Sequence, residues 1–101
     1  MVDKKLEFYL LSNEADADLD EIFDYTEYEH GFNQAVKYLS DLESLFKQLV
    51  KTPNLGRERK EIKKSIFSIA EQEHTVFYQI QKDHILIARV LHGRRDVPNF
   101  L

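Results

Sequence analysis

The segment Ile85-Leu-Ile-Ala-Arg-Val-Leu-His-Gly-Arg-Arg-Asp96 decides the fold class of this chain, because it predicts a buried β-strand. Five of its first seven residues are isoleucine, leucine or valine, a density typical of a central strand covered on both faces. A guanidinium is costly in such a strand unless it meets a carboxylate, a phosphate or a partner protein. We therefore expect Arg89 either to pair with an acid from the helices of the same fold or to take part in binding.

The charged residues at the exit of this strand are candidates for function. Gly93 ends the strand, and Arg94, Arg95 and Asp96 follow it directly. Three ionic groups just beyond a rigid strand form a usable protein-binding patch. His92 has a simpler interpretation, because a histidine at a strand end commonly bonds to a backbone carbonyl or to a nearby carboxylate.

Upstream of this segment, the pattern predicts an antiparallel meander. Its three strands cover residues 66–70, 74–80 and 85–92, and the connectors between them are of hairpin length. The preceding residues 54–65 are polar and basic, and we interpret them as a loop or short helical turn.

The N-terminal half predicts one strand and two helices. Leu6-Glu-Phe-Tyr-Leu-Leu11 is a short strand candidate, and Ser12 is a good N-cap for a first helix that ends before Gly31. A second helix is expected from about Phe32 to Lys51. It ends at Thr52-Pro53, because the residue before a proline avoids helical geometry.

This order of elements predicts an α+β fold, in which an N-terminal strand and an α-helical hairpin pack on a small antiparallel β-sheet. A chain of 101 residues has room for one core of two packed layers, so we expect residues 1–101 to form a single domain. The apolar stripe expected on the second helix is listed from its first to its last turn: Phe32, Ala35 or Val36, Leu39, Leu42, Phe46, and Leu49 or Val50.

Further apolar residues of the helices lie off this stripe. They are Tyr38 and Leu45 on the second helix, and Tyr25 and Tyr28 near the end of the first. Apolar surface beyond what a two-layer core requires indicates a protein partner, and an amphipathic helix is the simplest one.

The composition excludes several classes of function. The chain has no cysteine, which removes disulfides, thiolate catalysis and cysteine-ligated zinc, and which fits a reducing cytoplasm. Its four histidines have no ligand spacing, so we expect no metal and no cofactor. We also expect no membrane association, because no apolar run resembles a signal peptide or reaches transmembrane length.

The net charge of −4 conceals an asymmetry between the two halves. Residues 1–55 carry a net −7, whereas residues 56–101 carry a net +3 and include all five arginines. An acidic chain is a poor candidate for broad phosphate contact, although a local basic patch suits a protein partner. The basic stretch Arg57-Glu-Arg-Lys60 could bind RNA, but we expect its interleaved acids to dilute its charge.

Four segments, in this order, resemble the ParE branch of the RelE/ParE toxin superfamily. They are Ala15-Asp-Ala-Asp-Leu-Asp-Glu-Ile22, Pro53-Asn-Leu-Gly-Arg57, His74-Thr-Val-Phe-Tyr78 and Ile87-Ala-Arg-Val-Leu-His-Gly-Arg-Arg-Asp96. The resemblance extends over nearly the whole chain. It implies the toxin of a type II toxin–antitoxin pair, which inhibits DNA gyrase by binding, performs no catalysis and is neutralised by a ParD-like antitoxin. Such a pair forms a hetero-oligomer that reaches operator DNA through the antitoxin.

The resemblance leaves two alternatives. RelE-like members are ribosome-dependent mRNA interferases, and His92 or Tyr78 could move protons in such a reaction. Phe100 stands where those nucleases often carry a tyrosine, and it has no proton to give. The other alternative is a non-toxic relic that survives as an antitoxin-binding partner.

We expect two sets of binding residues. The gyrase-binding candidates lie at the C-terminal exit: Arg94, Arg95, Asn99, Phe100 and Leu101. The antitoxin-binding candidates are aromatic, aliphatic and basic side chains: Tyr25, Tyr28, Tyr38, Leu45, Arg57, Arg59 and Arg89.

Overall fold

The computed structural model describes residues 5–93, and over this range the chain forms a five-stranded sheet with two α-helices on one face. The elements, in chain order, are β1 (Phe8–Leu11), α1 (Asn13–His30), α2 (Phe32–Lys51), a 3₁₀ turn (Pro53–Leu55), β2 (Arg57–Glu58), β3 (Phe67–Glu71), β4 (His74–Ile80) and β5 (His84–His92). The strand order is β1-β5-β4-β3-β2. The predicted α+β class, with a strand and a helical hairpin before the sheet, is confirmed.

The sheet is mixed, whereas an antiparallel sheet was expected. Strands β2 to β5 pair antiparallel, but β1 pairs with β5 in parallel, from Phe8 opposite His84 to Leu11 opposite Ile87. Parallel neighbours need a long connection, and the two helices and three strands between β1 and β5 supply one. As a result, β5 is a central strand, as its aliphatic sequence predicted.

Ser12 and Gly31 determine where the helical hairpin begins and where its two helices are separated. The Ser12 hydroxyl oxygen accepts a hydrogen bond from the Ala15 amide at 2.9 Å and so caps α1. The same hydroxyl donates to the Ala88 carbonyl at 2.7 Å, which fixes the start of α1 on β5. Gly31 has φ 94° and separates the two helices, a conformation that favours glycine.

The buried face of α2 differs from the predicted stripe. Tyr38 and Leu45 are only 5% and 6% exposed, so the expectation that they lie off the core stripe is wrong. The buried residues repeat at intervals of three and four, and they are Ala35, Tyr38, Leu42, Leu45, Phe46 and Leu49. Phe32 and Val36 are exposed instead. Because α2 has more apolar residues than one face can hold, only packing decides which of them are buried.

Two further features were not predicted. Residues 57 and 58 form β2 at the edge of the sheet, where a loop was expected. In β5, Ile87 pairs with Tyr78 and Arg89 pairs with Phe77, so Ala88 is an extra residue that forms a β-bulge.

The sheet has a core on each face, and the two cores differ in size. The larger core contains the helices and residues such as Val76, Tyr78, Ile87 and Val90. On the opposite face, a smaller core of Ile66, Phe77 and Leu91 lies under the segment between β2 and β3, with Ile62 and Ala88 packed against it. Within residues 5–93, neither helix is long and apolar enough to cross a membrane.

Candidate partner-binding surfaces

An apolar groove runs between the two helices and β1. We call it the hairpin groove, and it has a volume of about 360 Å³. Its apolar lining is formed mainly by six side chains: Tyr9, Leu19, Phe23, Val36, Leu39 and Phe46. The exposed ring of Phe32 lies at its end and packs edge-on against Phe23, with ring centroids 5.9 Å apart. The predicted excess of apolar surface on the hairpin is therefore present, although different residues supply it.

A second depression, of about 530 Å³, lies between α1 and the last residues of β5. We call it the strand-end cleft, and its lining includes Glu21, Ile22, Tyr25, His74, Leu91 and His92. Tyr25 is 59% exposed here, and Tyr28, one turn further along α1, is 87% exposed. Both tyrosines are thus available to a partner, as expected.

His74 connects this cleft to the core through Tyr38. The Tyr38 hydroxyl lies 3.0 Å from the Glu71 carbonyl oxygen, to which it donates, and 2.7 Å from Nδ1 of His74. A hydroxyl has one proton, so both contacts are hydrogen bonds only if His74 Nδ1 donates to the tyrosine oxygen. Burial, then the charges of Glu71 and Glu73, raise the pKa of Tyr38 to about 12. Burial, then the neighbouring His92 ring, lower the pKa of His74.

Arg89 pairs with an acid of the helical hairpin, which is one of the two alternatives open from the sequence. Its Nε and Nη2 atoms each donate to a carboxylate oxygen of Asp18 at 2.8 Å. The Val90 amide also donates to Asp18, at 3.0 Å. These bonds raise the pKa of Arg89 above its ordinary value, with burial opposing them. We call these three residues the Asp18 cluster.

The Asp18 cluster lies where β5 continues beyond the end of β1. The last β1 pairing joins Leu11 to Ile87, and the next contacts to β5 come from Ser12 and then from Asp18. Asp18 is 8% exposed, and its carboxylate accepts three hydrogen bonds, which offset the cost of burying its charge. The final residues of β5, which lead into the C-terminal tail, pair with β4 on one side and are held by α1 rather than by β1 on the other.

The contacts of Tyr78 join two of the motifs that carried the family resemblance. Its hydroxyl donates to the Pro53 carbonyl at 2.7 Å and accepts from the Gly56 amide at 2.9 Å. A side chain at position 56 would meet the Ser68 carbonyl oxygen at 2.5 Å, so glycine is required by close packing. We call Tyr78, Pro53 and Gly56 the Tyr78 cluster. Because the Tyr78 hydroxyl is buried and bonded twice, it is not available to move protons for an external substrate.

The basic candidates Arg57 and Arg59 have different environments. Arg57 is exposed in β2, whereas Arg59 is half-buried, donates to Ser68 at 3.0 Å and forms an ion pair with Glu61. The hydrogen bond from Arg59 lowers the pKa of Glu61. Arg57 is accordingly the more accessible of the two to a partner.

The gyrase-binding candidates Arg94, Arg95, Asn99, Phe100 and Leu101 lie outside the residues that the structure describes. Of the antitoxin-binding candidates, Tyr25, Tyr28 and Arg57 are exposed, while Tyr38 and Leu45 are buried in the core of this chain. Arg89 and Arg59 are largely occupied by internal contacts. Between residues 5 and 93, no three potential metal-ligating side chains lie close together.

The structure also shows functional candidates that the sequence analysis missed. Asp18 was not distinguished from the other acids of α1, although its position one turn after Ala15 places it on the buried side of the helix. Phe23 received no role from the sequence, and Val36 and Leu39 were expected on the core stripe of α2, yet all three line the hairpin groove. Helical periodicity could identify these residues as apolar, but it could not separate a groove from a core.

Comparison with known proteins agrees with this architecture. The family model of the ParE toxin of the type II toxin–antitoxin system parDE matches residues 9–97. The chain is 37% identical over 94 residues to Toxin ParE1 of Mycobacterium tuberculosis, which covers 92% of this chain and 96% of that protein. It is 33% identical over 84 residues to Toxin ParE1 of Caulobacter vibrioides, which covers 83% and 86% of the two chains.

A solved structure shares the fold. It comes from the chromosomal ParDE toxin–antitoxin system of P. aeruginosa, and it superposes with a TM-score of 0.74 over 86% of this chain and 95% of that one, at 21% identity. The family model extends from β1 past the end of β5, and so includes the two residue clusters described above. The chain therefore belongs to the ParE family of toxins of type II toxin–antitoxin systems.

Proposed function

We propose that this toxin inhibits DNA gyrase by binding, without catalysis of its own, and that a ParD-like antitoxin neutralises it in the cytoplasm. The observation that carries the proposal is membership of the ParE family over almost the whole chain. Inhibition of gyrase is what that family membership implies. The antitoxin would also link the hetero-oligomeric complex to operator DNA.

The hairpin groove supports the antitoxin part of the proposal. It is apolar and open, and the exposed rings of Phe32 and Tyr28 lie on the same hairpin. An amphipathic helix that places residues at i, i+3, i+4 and i+7 into such a groove buries apolar surface on both proteins. Charged residues at its edge, such as Glu43, would select a basic flank on that helix.

A groove variant tests the antitoxin contact. Val36→Asp introduces a charge into the hairpin groove at a position that is already 43% exposed, so the fold should tolerate it. We expect antitoxin binding, measured by calorimetry with the antitoxin encoded beside the toxin, to weaken at least tenfold, which is about 1.4 kcal/mol. Ser44→Asp adds the same charge to an exposed position of α2 and should bind normally. Equal binding by the two variants would place the antitoxin helix elsewhere.

A gyrase assay tests the target. Purified full-length toxin, incubated with gyrase and supercoiled plasmid, should block supercoiling and accumulate cleaved DNA. The Arg94→Ala/Arg95→Ala variant and a deletion of residues 99–101 should lose this effect, because the charged and apolar groups of residues 94–101 are the proposed contact. Lys37→Ala/Lys47→Ala, which removes two exposed cations from α2, is the matched control.

Three results would contradict the proposed target or its site. Full activity of the tail variants would move the gyrase contact to another surface. Cleavage of translated mRNA, with gyrase unaffected, would favour an interferase. No growth inhibition on expression without the antitoxin would indicate a relic.

A further inference from the structure

The segment between β2 and β3 is a compact loop with a fixed backbone. The Arg59 amide donates to the Ile66 carbonyl at 2.7 Å, which closes the loop, and the Lys63 amide donates back to the Arg59 carbonyl at 3.1 Å. Ile62 and Ile66 pack against the smaller core, on the sheet face away from the helices. The polar side chains of the loop are therefore presented to solvent from a rigid support.

The acids of this loop are engaged within it, so its exposed charge is positive. Glu61 is paired with Arg59, and Glu58 accepts a hydrogen bond from the Ser65 amide at 3.2 Å. The remaining cations are exposed and have no ion pair with any residue in the described part of the chain; they are Arg57, Lys60, Lys63 and Lys64. We call residues 57–64 the basic loop. Glu58 and Glu61 keep their charges, so the expected dilution leaves residues 57–64, with five bases and two acids, at a net +3.

The sheet separates this positive surface from the acidic one. The exposed acids of α1, which include Asp16, Asp20 and Asp24, belong to the helix layer on the opposite face. The net charge of −4 is therefore the sum of contributions that include two surfaces of opposite sign. Glu14, in the first turn of α1, lines a depression together with Lys63. A polyanion could otherwise approach the basic loop from the face away from the helix layer.

The chemistry of the basic loop fits phosphate groups better than a protein. Lysine is depleted in protein–protein interfaces, where aromatic anchors are enriched, and residues 57–64 contain no aromatic side chain. The absence of aromatic residues also disfavours single-stranded nucleic acid, whose bases need a stacking surface. We propose that the basic loop binds the phosphate backbone of duplex DNA, without reading its sequence. DNA binding by the loop requires neither gyrase nor the antitoxin.

The test measures DNA binding by the full-length toxin in the absence of both partners. A fluorescently labelled 20-base-pair duplex, free of operator sequence, is titrated with the wild type and with Lys60→Gln/Lys63→Gln/Lys64→Gln. The matched control, Lys37→Gln/Lys47→Gln/Lys82→Gln, removes three exposed charges elsewhere. Thermal melting of all three proteins should agree, because every substituted side chain is exposed.

The expected result follows from counter-ion release. Three lysine–phosphate contacts predict that wild-type affinity falls roughly fortyfold between 50 and 200 mM salt. The loop variant should bind at least tenfold more weakly at 50 mM salt and lose most of this salt dependence, whereas the control should match the wild type.

Four outcomes would overturn the inference. They are no binding by the wild type at 50 mM salt, equal losses in the loop and control variants, tighter binding of a single strand, and equal competition by a polyglutamate peptide. The last result would assign the loop to an acidic protein. Because gyrase is absent, none of these outcomes bears on the proposed inhibition of gyrase.

Discussion

The Asp18 cluster and the Tyr78 cluster both connect a segment outside the sheet to strands β4 and β5, but they use different chemistry. The Asp18 cluster joins α1 to β5 through a buried ion pair with two parallel hydrogen bonds. The Tyr78 cluster joins the turn after α2 to β4 through two hydrogen bonds from one neutral hydroxyl. One contact depends on charge, and the other does not.

This difference determines what each cluster contributes to the fold. A buried ion pair repays the cost of removing its charges from water only while both partners are present. A neutral hydroxyl costs less to bury and leaves smaller penalties when it is lost. The end of β5, which leads to the candidate gyrase-binding tail, is thus joined to α1 by the more demanding of the two contacts.

The largest effect is expected from removing one partner of the Asp18 cluster. Asp18→Ala should lower the free energy of unfolding by about 3–5 kcal/mol, because Arg89 loses its carboxylate and the Val90 amide loses its acceptor. Arg89→Ala should lose stability by a similar amount, together with toxicity. Urea unfolding of the full-length toxin measures both.

The exposed Asp20→Ala on the same helix is the control. Asp18→Asn sharpens the comparison, because it keeps one acceptor oxygen for the Val90 amide but replaces the other oxygen and the charge with an NH2 group that cannot accept from Arg89. It should give an intermediate loss. If Asp18→Ala were as stable as Asp20→Ala, the ion pair would contribute nothing to the fold.

A smaller loss is expected from the neutral contact. Tyr78→Phe removes the hydroxyl and leaves the Gly56 amide and the Pro53 carbonyl without their bonds, at a cost of about 1–3 kcal/mol. Tyr28→Phe, at a side chain that is 87% exposed, should change nothing measurable. The effect of Tyr78→Phe should also be the same at low and high salt. A loss as large as that of Asp18→Ala would show that the two clusters do not differ as proposed.

The smallest effect is a dependence of stability on pH at His74, which begins β4 opposite His92. The folded state lowers the pKa of His74 below its unfolded value of about 6.5, so the unfolded chain binds the proton more readily. Stability should therefore fall as the pH drops through 6.5, and the melting temperature should be lower at pH 5.5 than at pH 7.5. His74→Gln should reduce this difference, whereas the exposed His30→Gln should not. An unchanged pH profile in His74→Gln would assign the dependence to other groups.

The kinds of contact in the candidate site could largely be predicted from residue types. The residues that make each contact could not. The sequence correctly indicated that Arg89 needs an acidic partner or a ligand and that the hairpin has surplus apolar surface. It did not indicate Asp18 as that partner, because many acids of α1 have similar local contexts. Neither could it show that the acids of the basic loop bond within the loop, since those contacts depend on how residues 59–66 fold back on themselves.

The sequence by itself determined the order and type of the main elements, since helices and strands follow from periodicity, capping residues and proline, all of which act over a few positions. It also determined the family, because the family motifs contain residues that close packing requires, such as Gly56 next to the Tyr78 hydroxyl. Only the tertiary structure decided the parallel pairing of β1 with β5, the face of α2 that is buried, and the bulge at Ala88. Each of these is a choice between local alternatives of similar energy, and contacts between residues far apart in the chain select one of them.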